Sequence, residues 1–279
     1  MNTIIRIAVS GFAFVAIPVS AAERIIEERS WTETFAVASP APEVLVDNIW
    51  GNVTVVAGPA GEISLTVNER RAAPTQSLFD LSLQIMSLEI DADEAGLTVR
   101  VGDTERNWRQ FNGCRGCRVD YQFTLQVPKD SIIDVGTVTD GRVEVSGIEG
   151  SVAARNVNGP IEVIGMRECR AFESINGAMS VSFASAPTRD CELETINGDI
   201  TLGLPNDAGL DVAINVYNGR VVSDFDVDPL ALPARVEEIE EQGRYRYRIE
   251  QPAGVRLHGG GPTFSFSSLN GDVRIKSNP

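Results

Sequence analysis

Across the middle of the chain, apolar residues fall at every second position in short runs. Ile161 and Val163 make one run, Met179, Val181 and Phe183 a second, and Ile200, Leu202 and Leu204 a third. Glu162, Ser180 and Thr201 stand between them. A period of two sends successive side chains to opposite faces of an extended backbone, so each run predicts a strand with one buried face. A second apolar stretch precedes each run. Phe172, Leu193 and Ile214 share one equivalent position in it, and Val157, Ile175, Ile196 and Tyr217 share another. Both positions read as core, with Ile175 expected inside beside Met179 and Val181.

An Asn-Gly pair separates the two stretches. Aligned on glycine, the units are "TVTDGRVEV" at Gly141, "RNVNGPIEV" at Gly159, "ESINGAMSV" at Gly177 and "ETINGDITL" at Gly198. "NVYNGRVVS" at Gly219 and "SSLNGDVRI" at Gly271 continue them, and "DNIWGNVTV" at Gly51 is an outlier. From Gly141 to Gly219 the spacings are 18, 18, 21 and 21 residues. A fixed period with one turn per unit is the signature of a solenoid. Asn-Gly tolerates positive φ, so the pairs Asn158-Gly159, Asn176-Gly177, Asn197-Gly198, Asn218-Gly219 and Asn270-Gly271 are expected to be structural turns.

Two arrangements satisfy this pattern. Each Asn-Gly could close a hairpin. Alternatively the chain coils, and equivalent positions of successive units stack in parallel about 4.8 Å apart. Only the coil explains why the units match in length, and it is the reading adopted. The five asparagines then form a column along one corner, kept for backbone conformation and for amide-to-amide hydrogen bonds. A glycan- or ion-binding column is the functional alternative.

The rest of the chain is less regular. Gly271 follows Gly219 at a spacing of 52 residues, too many for one unit, so about 220–256 reads as an excursion from the coil. Within it "RYRYRIE", Arg244 to Glu250, is expected as a strand on the coil's edge. The charged chain end is expected to cap the last rung. Residues 23–130 form an irregular β-rich part, with strands in "EVLVDNI", "NVTVVAG", "EISLTVNERR", "GLTVRVGD" and "VDYQFTLQVP", and one short helix over Thr75 to Gln84 after Pro74. Residues 131–279 carry the repeats. The fold class is thus all-β: a parallel β-helix or β-solenoid with an irregular β-rich N-terminal part and at most one short helix.

Residues 1–22 combine a weakly basic start, an apolar run from Ile7 to Val19 and the small-residue stretch "VSAAE". They read as a secretory signal peptide cut after Ala21 or Ala22; an uncleaved anchor is the alternative, although the run is too short to span a bilayer. No later stretch is long and apolar enough for a transmembrane helix. The chain is therefore expected in the periplasm or at the cell surface. Its net charge is −15, which repels nucleic acid, anionic membranes and acidic polysaccharides.

The stretches "DNIWGNVTVVAG", "YQFTLQVPKDSIIDVGTVTDGRVEV", the serial Asn-Gly units and "GGGPTFSFSSLNGDVRIKS" together resemble the putative-adhesin family of bacterial β-strand-repeat domains of unknown function. The resemblance covers nearly all of the chain after residue 22. It implies a right-handed β-helix-like fold and export, and it brings no catalytic residues. It does not account for the cysteines.

Four cysteines in an exported chain suggest disulfides. Cys169 and Cys191, about one period apart, are expected on adjacent rungs within bridging distance; the alternative is two buried thiols. Cys114 and Cys117 form a C-x-x-C, read as a local staple, with redox or zinc roles as alternatives. Asp224, Asp226 and Asp228 alternate on one face, and a calcium site there is disfavoured because Pro229 follows and no Gly turn does. Glu144 and Glu162, with Arg142 nearby, are the best carboxylate pair for a polysaccharide-cleaving site, against a plain solvated face. Trp31, Trp50 and Trp108 are sugar platforms or packing groups, and His258 is the single histidine. No catalytic, cofactor or metal residue is assigned. The expected role is a non-catalytic envelope module that binds an envelope protein or glycan. A carbohydrate-active β-helix enzyme is the alternative, and a structural periplasmic protein induced under envelope stress is a third reading.

Overall fold

The computed structural model describes residues 7–8, 24–102, 114–233, 235–241, 244–250 and 253–278. The expected cleavage point and Trp108 lie outside them. Nearly all of the described chain is β-structure, in two mixed sheets of eleven strands, a two-stranded sheet and one helix. The two large sheets do not close on each other.

In sheet I, β9 (Ile132–Thr137), β11 (Ser151–Asn158), β13 (Glu168–Asn176) and β15 (Cys191–Asn197) lie side by side and parallel. In sheet II, β10 (Val143–Ser146), β12 (Ile161–Met166), β14 (Met179–Phe183) and β16 (Ile200–Pro205) do the same. The chain passes from sheet I to sheet II at each Asn-Gly or Asp-Gly corner and returns through a loop. Strands that flank a corner pair with their counterparts one unit away, not with each other, so the corners are not hairpins.

The earlier strands join the same two sheets. β3 (Glu43–Asp47) lies between β9 and β7 (Gly96–Val101), and β4 (Val53–Gly58) lies between β10 and β8 (Arg118–Pro128). Strands on both sides of residue 130 therefore share one hydrophobic core. Antiparallel strands finish this end: β5 (Glu62–Ala73) and β2 (Ile25–Ala36) beyond β8, and β6 (Leu88–Ala92) beyond β7. β1 (Ile7–Ala8), within the segment read as a signal peptide, pairs with Glu33 and Thr34 of β2.

At the other end the order of rungs departs from the order of the chain. β17 (Leu210–Asn218) and β18 (Val221–Ser223) form the rung after Gly198 in sequence. The C-terminal strands β23 (Thr263–Asn270) and β24 (Val273–Asn278) are inserted in front of it. β23 is parallel to both β15 and β17, and β24 to both β16 and β18. The chain end therefore does not cap the stack; it is held between neighbours on both sides. β18 ends sheet II, while β22 (Ala253–Leu257) and β19 (Val227–Leu230) extend sheet I antiparallel past β17. "RYRYRIE" also departs from expectation. As β21 (Arg244–Glu250) it pairs only with β20 (Arg235–Glu241), in the separate two-stranded sheet. A partner two residues away closes at far lower loop entropy than a distant sheet edge.

The corners follow expectation in part: positive φ occurs at the glycines Gly159 (φ 158°) and Gly271 (φ 155°). None of the five asparagines has positive φ, and among the described non-glycine residues only Asp140 and His258 do. The glycines are needed for close approach. A Cβ at Gly177 would overlap the carbonyl oxygen of Gly159, and Gly159 stands in the same relation to Gly141. Gly198, Gly271 and Gly219 continue the series, each against the glycine of the preceding rung. The asparagines form an amide ladder in spatial order. Asn176 Nδ2 donates to Asn158 Oδ1 at 2.9 Å, Asn197 to Asn176 at 2.8 Å, Asn270 to Asn197 at 2.8 Å and Asn218 to Asn270 at 2.9 Å.

The expected helix forms as α1 (Gln76–Ile85), with Leu78 N donating to the Thr75 Oγ1 cap at 3.3 Å. Its C-terminal end is held by buried Arg71. Nη1 donates to the Ser82 carbonyl, and Nη2 donates at 3.0 Å to the Met86 carbonyl and at 3.0 Å to Tyr121 Oη. Glu69 pairs with the same guanidinium at 2.7 Å. Burial, and next the Glu69 charge, push the Tyr121 phenol well above its ordinary value, so it stays protonated.

Candidate interaction face

The outward face of sheet I carries a row of apolar side chains. Phe172 points inward on β13, so by alternation Glu173 points out, Ser174 in and Ile175 out. The same parity puts Leu193 and Thr195 inside and Ile196 outside on β15. Ile175 therefore does not belong to the core. Phe172 and Ile175 are three residues apart, and an odd separation along a strand cannot share a face. The inner position next to the corner is filled by Thr137, Asn156, Ser174, Thr195 and Ser268, all buried. Thr137 Oγ1 donates to the Gly51 carbonyl at 2.9 Å, and Asn156 Nδ2 to the Gly141 carbonyl at 3.0 Å. Two of the tight-corner carbonyls thus find side-chain donors, while the buried Ser174, Thr195 and Ser268 hydroxyls have no hydrogen-bond partner.

Register extends the row over five neighbouring strands. Pairings at Asn158–Asn176, Asn176–Asn197, Asn197–Asn270 and Asn218–Asn270 align the residue before each asparagine. These are Val157, Ile175, Ile196, Leu269 and Tyr217. Ile175, Ile196 and Leu269 are 42%, 40% and 47% exposed, and Tyr217 is 79% exposed. At about 4.8 Å per strand the row is roughly 19 Å long. Glu173, Glu194, Ser267 and Asn215 form the polar row beside it. A shallow groove of about 370 Å³ follows one flank, lined by Val157, Ile175, Ile196, Glu173, Glu194, Arg155 and Asp47 among others. Arg155 closes that flank with ion pairs to Asp47 at 3.4 Å and Asp134 at 3.3 Å.

The other sequence candidates do not converge. Glu144 and Glu162 lie opposite each other on β10 and β12. Arg142 Nη1 donates to Glu144 Oε1 at 2.8 Å on an open sheet face, and the described grooves do not include this pair. Among the described residues no three His, Cys, Asp or Glu side chains are grouped as a metal would need. Asp224 accepts from Ser277 N at 3.3 Å, away from any shared centre with Asp226 and Asp228. His258 Nδ1 lies 3.2 Å from the Ala208 carbonyl oxygen and meets Phe225 edge-on. Trp31 and Trp50 are half-buried against the core.

Cys169 and Cys191 are buried on β13 and β15 with Cα atoms 5.4 Å apart. Cys114 and Cys117, also 5.4 Å apart at Cα, pack under α1, with Cys114 Sγ 3.2 Å from the Leu78 carbonyl oxygen. Both separations suit a disulfide.

Charge is organised at the end of the stack. Arg274 donates to Asp199 at 2.6 Å and to Asp272 at 3.1 Å, and Arg220 pairs with Asp272 at 3.2 Å. Hydrogen bonds from the Arg274 side chain and the Asp272 backbone hold the Asp199 carboxyl below its ordinary pKa. The Arg220 backbone N–H, with the Arg220 guanidinium behind it, does the same for Asp272. Asp211 is lowered by a two-pronged contact with Arg256, both arms at 2.7 Å.

No protein-family model matches the chain, and no curated protein matches it. Among solved structures it is similar to a "putative cell adhesion protein" from Clostridium sporogenes, 10% identical, spanning 90% of this chain and 100% of that one with a TM-score of 0.46. A "putative lipid binding protein" from Parabacteroides distasonis is 13% identical over 90% of this chain and 97% of that one, with a TM-score of 0.28. A "putative adhesin" from Bacteroides fragilis is 10% identical over the same shares, with a TM-score of 0.23. The functional reading rests on the site's own geometry.

Proposed function

We propose that this chain is an exported, non-catalytic module of the cell envelope that binds a partner, an envelope protein or a glycan, through the outer face of sheet I. The supporting observation is the row of exposed Ile175, Ile196, Leu269 and Tyr217, continued by half-buried Val157. Outward positions on a solvated sheet cost nothing when polar, and their neighbours Glu173, Glu194 and Ser267 are polar. A contiguous apolar row with a polar rim is the composition of a binding surface. In this reading the parallel strands of the two sheets are the rungs of a right-handed solenoid, and the two cysteine pairs are disulfides suited to an oxidising compartment.

The test is binding of the purified chain to isolated envelopes, comparing the wild type with an Ile175→Ser, Ile196→Ser, Leu269→Ser, Tyr217→Ser variant. The variant is expected to fold with unchanged thermal stability and to lose binding. Equal binding by both proteins removes the row from the function. Cleavage of any polymer in a glycan panel overturns the non-catalytic reading.

A further inference from the structure

The Asn-Gly corners are not chemically equivalent, and the geometry points to Asn218-Gly219 as a site of spontaneous backbone modification. Conversion of Asn-Gly begins when the glycine backbone nitrogen attacks the asparagine Cγ. A bond forms between Gly219 N and Asn218 Cγ, the Cγ–Nδ2 bond breaks, and ammonia leaves with the proton from Gly219 N. Water then opens the five-membered imide at either carbonyl, giving aspartate or isoaspartate. The step needs a free glycine N–H and a side chain able to turn toward it.

Four corners deny both. Gly159 N donates to the Asn176 carbonyl at 2.9 Å, Gly177 N to Asn197 at 3.0 Å, Gly198 N to Asn270 at 2.9 Å and Gly271 N to Asn218 at 3.0 Å. Their asparagine side chains are held on both sides: Asn176, Asn197 and Asn270 by amides above and below, and Asn158 by Asn176 and the Val138 carbonyl. The insertion of β23 and β24 leaves the Gly219 rung last. β22 covers β17 only from Leu210 to Ile214. Among the described residues nothing accepts from Gly219 N, and Asn218 Oδ1 has no donor; its side chain is held by one bond, to Asn270. Asn218 and Gly219 are both exposed. The order of reactivity follows the spatial order of the stack, not the local sequence, which is Asn-Gly at all five. The product carboxylate cannot donate to Asn270 Oδ1, so conversion removes the last bond of the ladder. A sixth pair, Asn112-Gly113, lies outside the described residues.

The experiment is incubation of the folded chain at mildly alkaline pH, followed by peptide mapping with tandem mass spectrometry to localise amide-to-acid conversion. A parallel sample in urea supplies the intrinsic rates. Asn218 is expected to convert in the folded chain at close to its urea rate. Asn158, Asn176, Asn197 and Asn270 are expected to be at least about tenfold slower than in urea, the factor that ~1.4 kcal/mol of local opening imposes. An Asn218→Ala variant should lose the folded-state signal without exposing Asn270, whose Gly271 N–H still has the residue-218 carbonyl. Conversion of any of the four inner corners as fast as Asn218, or protection of Asn218 in the folded chain, overturns the assignment.

Discussion

Gly177→Ala isolates the claim that the corner glycines serve close approach. The added Cβ would overlap the Gly159 carbonyl oxygen and lie 2.5 Å from its carbon. Ordinary carbon contacts begin near 3.5 Å, so the two rungs must separate by about 1 Å. Three bonds join them here: Gly159 N to the Asn176 carbonyl at 2.9 Å, Ile161 N to the Ala178 carbonyl at 3.0 Å, and Asn176 Nδ2 to Asn158 Oδ1 at 2.9 Å. Stretching each by that amount takes it beyond hydrogen-bonding range. At roughly 1 kcal/mol net per bond, the loss is about 3 kcal/mol. Gly165→Ala is the control. Gly165 has φ +71 and open space around its Cβ position, so alanine there pays only left-handed backbone strain, about 1 kcal/mol. The gain from stiffening the unfolded chain is common to both. The assay is urea unfolding followed by circular dichroism. Gly177→Ala should be destabilised by about 2 kcal/mol more than Gly165→Ala. If Gly165→Ala costs as much or more, conformational freedom is what the corners need, and the close-approach argument fails.

Three further outcomes are expected. Replacing Cys169 and Cys191 by Ser should cost about 3 kcal/mol in unfolding assays, the usual contribution of a bridge closing a loop of this size; mapping of non-reduced peptides that finds free thiols at both positions would refute the pairing. Arg71→Met should cost about 3–5 kcal/mol, because Glu69 is left charged and buried and the α1 carbonyls lose their donors; it is read by thermal unfolding, and a near-neutral change would show that the cluster does not hold the helix. Asp199, Asp211 and Asp272 have folded pKa values below their unfolded ones. Their stabilisation is present above the ordinary carboxylate pKa and is lost as pH falls through the lowered folded values, so the unfolding midpoint should drop on acidification below about pH 4. An Arg256→Gln, Arg274→Gln variant should flatten that drop, and an unchanged slope would remove these pairs from the acid response.

Much of this fold was legible in the residues. The period of two defines the strands, because alternation is a local property of extended backbone. The recurring Asn-Gly defines the corners, and equal spacing implies parallel stacking. Cys169 and Cys191 could be placed on adjacent rungs by counting. The exposed apolar row was also within reach, since parity from Phe172 puts Ile175 outside. Apolar character alone points to the core, and the outward parity of these positions overrides it.

The sequence by itself determined which segments are rungs, where each turns and which side chains face inward. It did not determine their order. From Gly159 onward each rung offers the same glycine, the same asparagine amide and an alternating face, so any of these rungs fits beside any other. Only the tertiary structure decided that Thr263–Asn278 enters between the Gly198 and Gly219 rungs, where Phe264 meets Phe183 at 5.5 Å and β17 remains free to take β22 on its other edge. That choice sets the exposed end of the amide ladder at Asn218, and it brings Leu269 between Ile196 and Tyr217 to make the apolar row continuous.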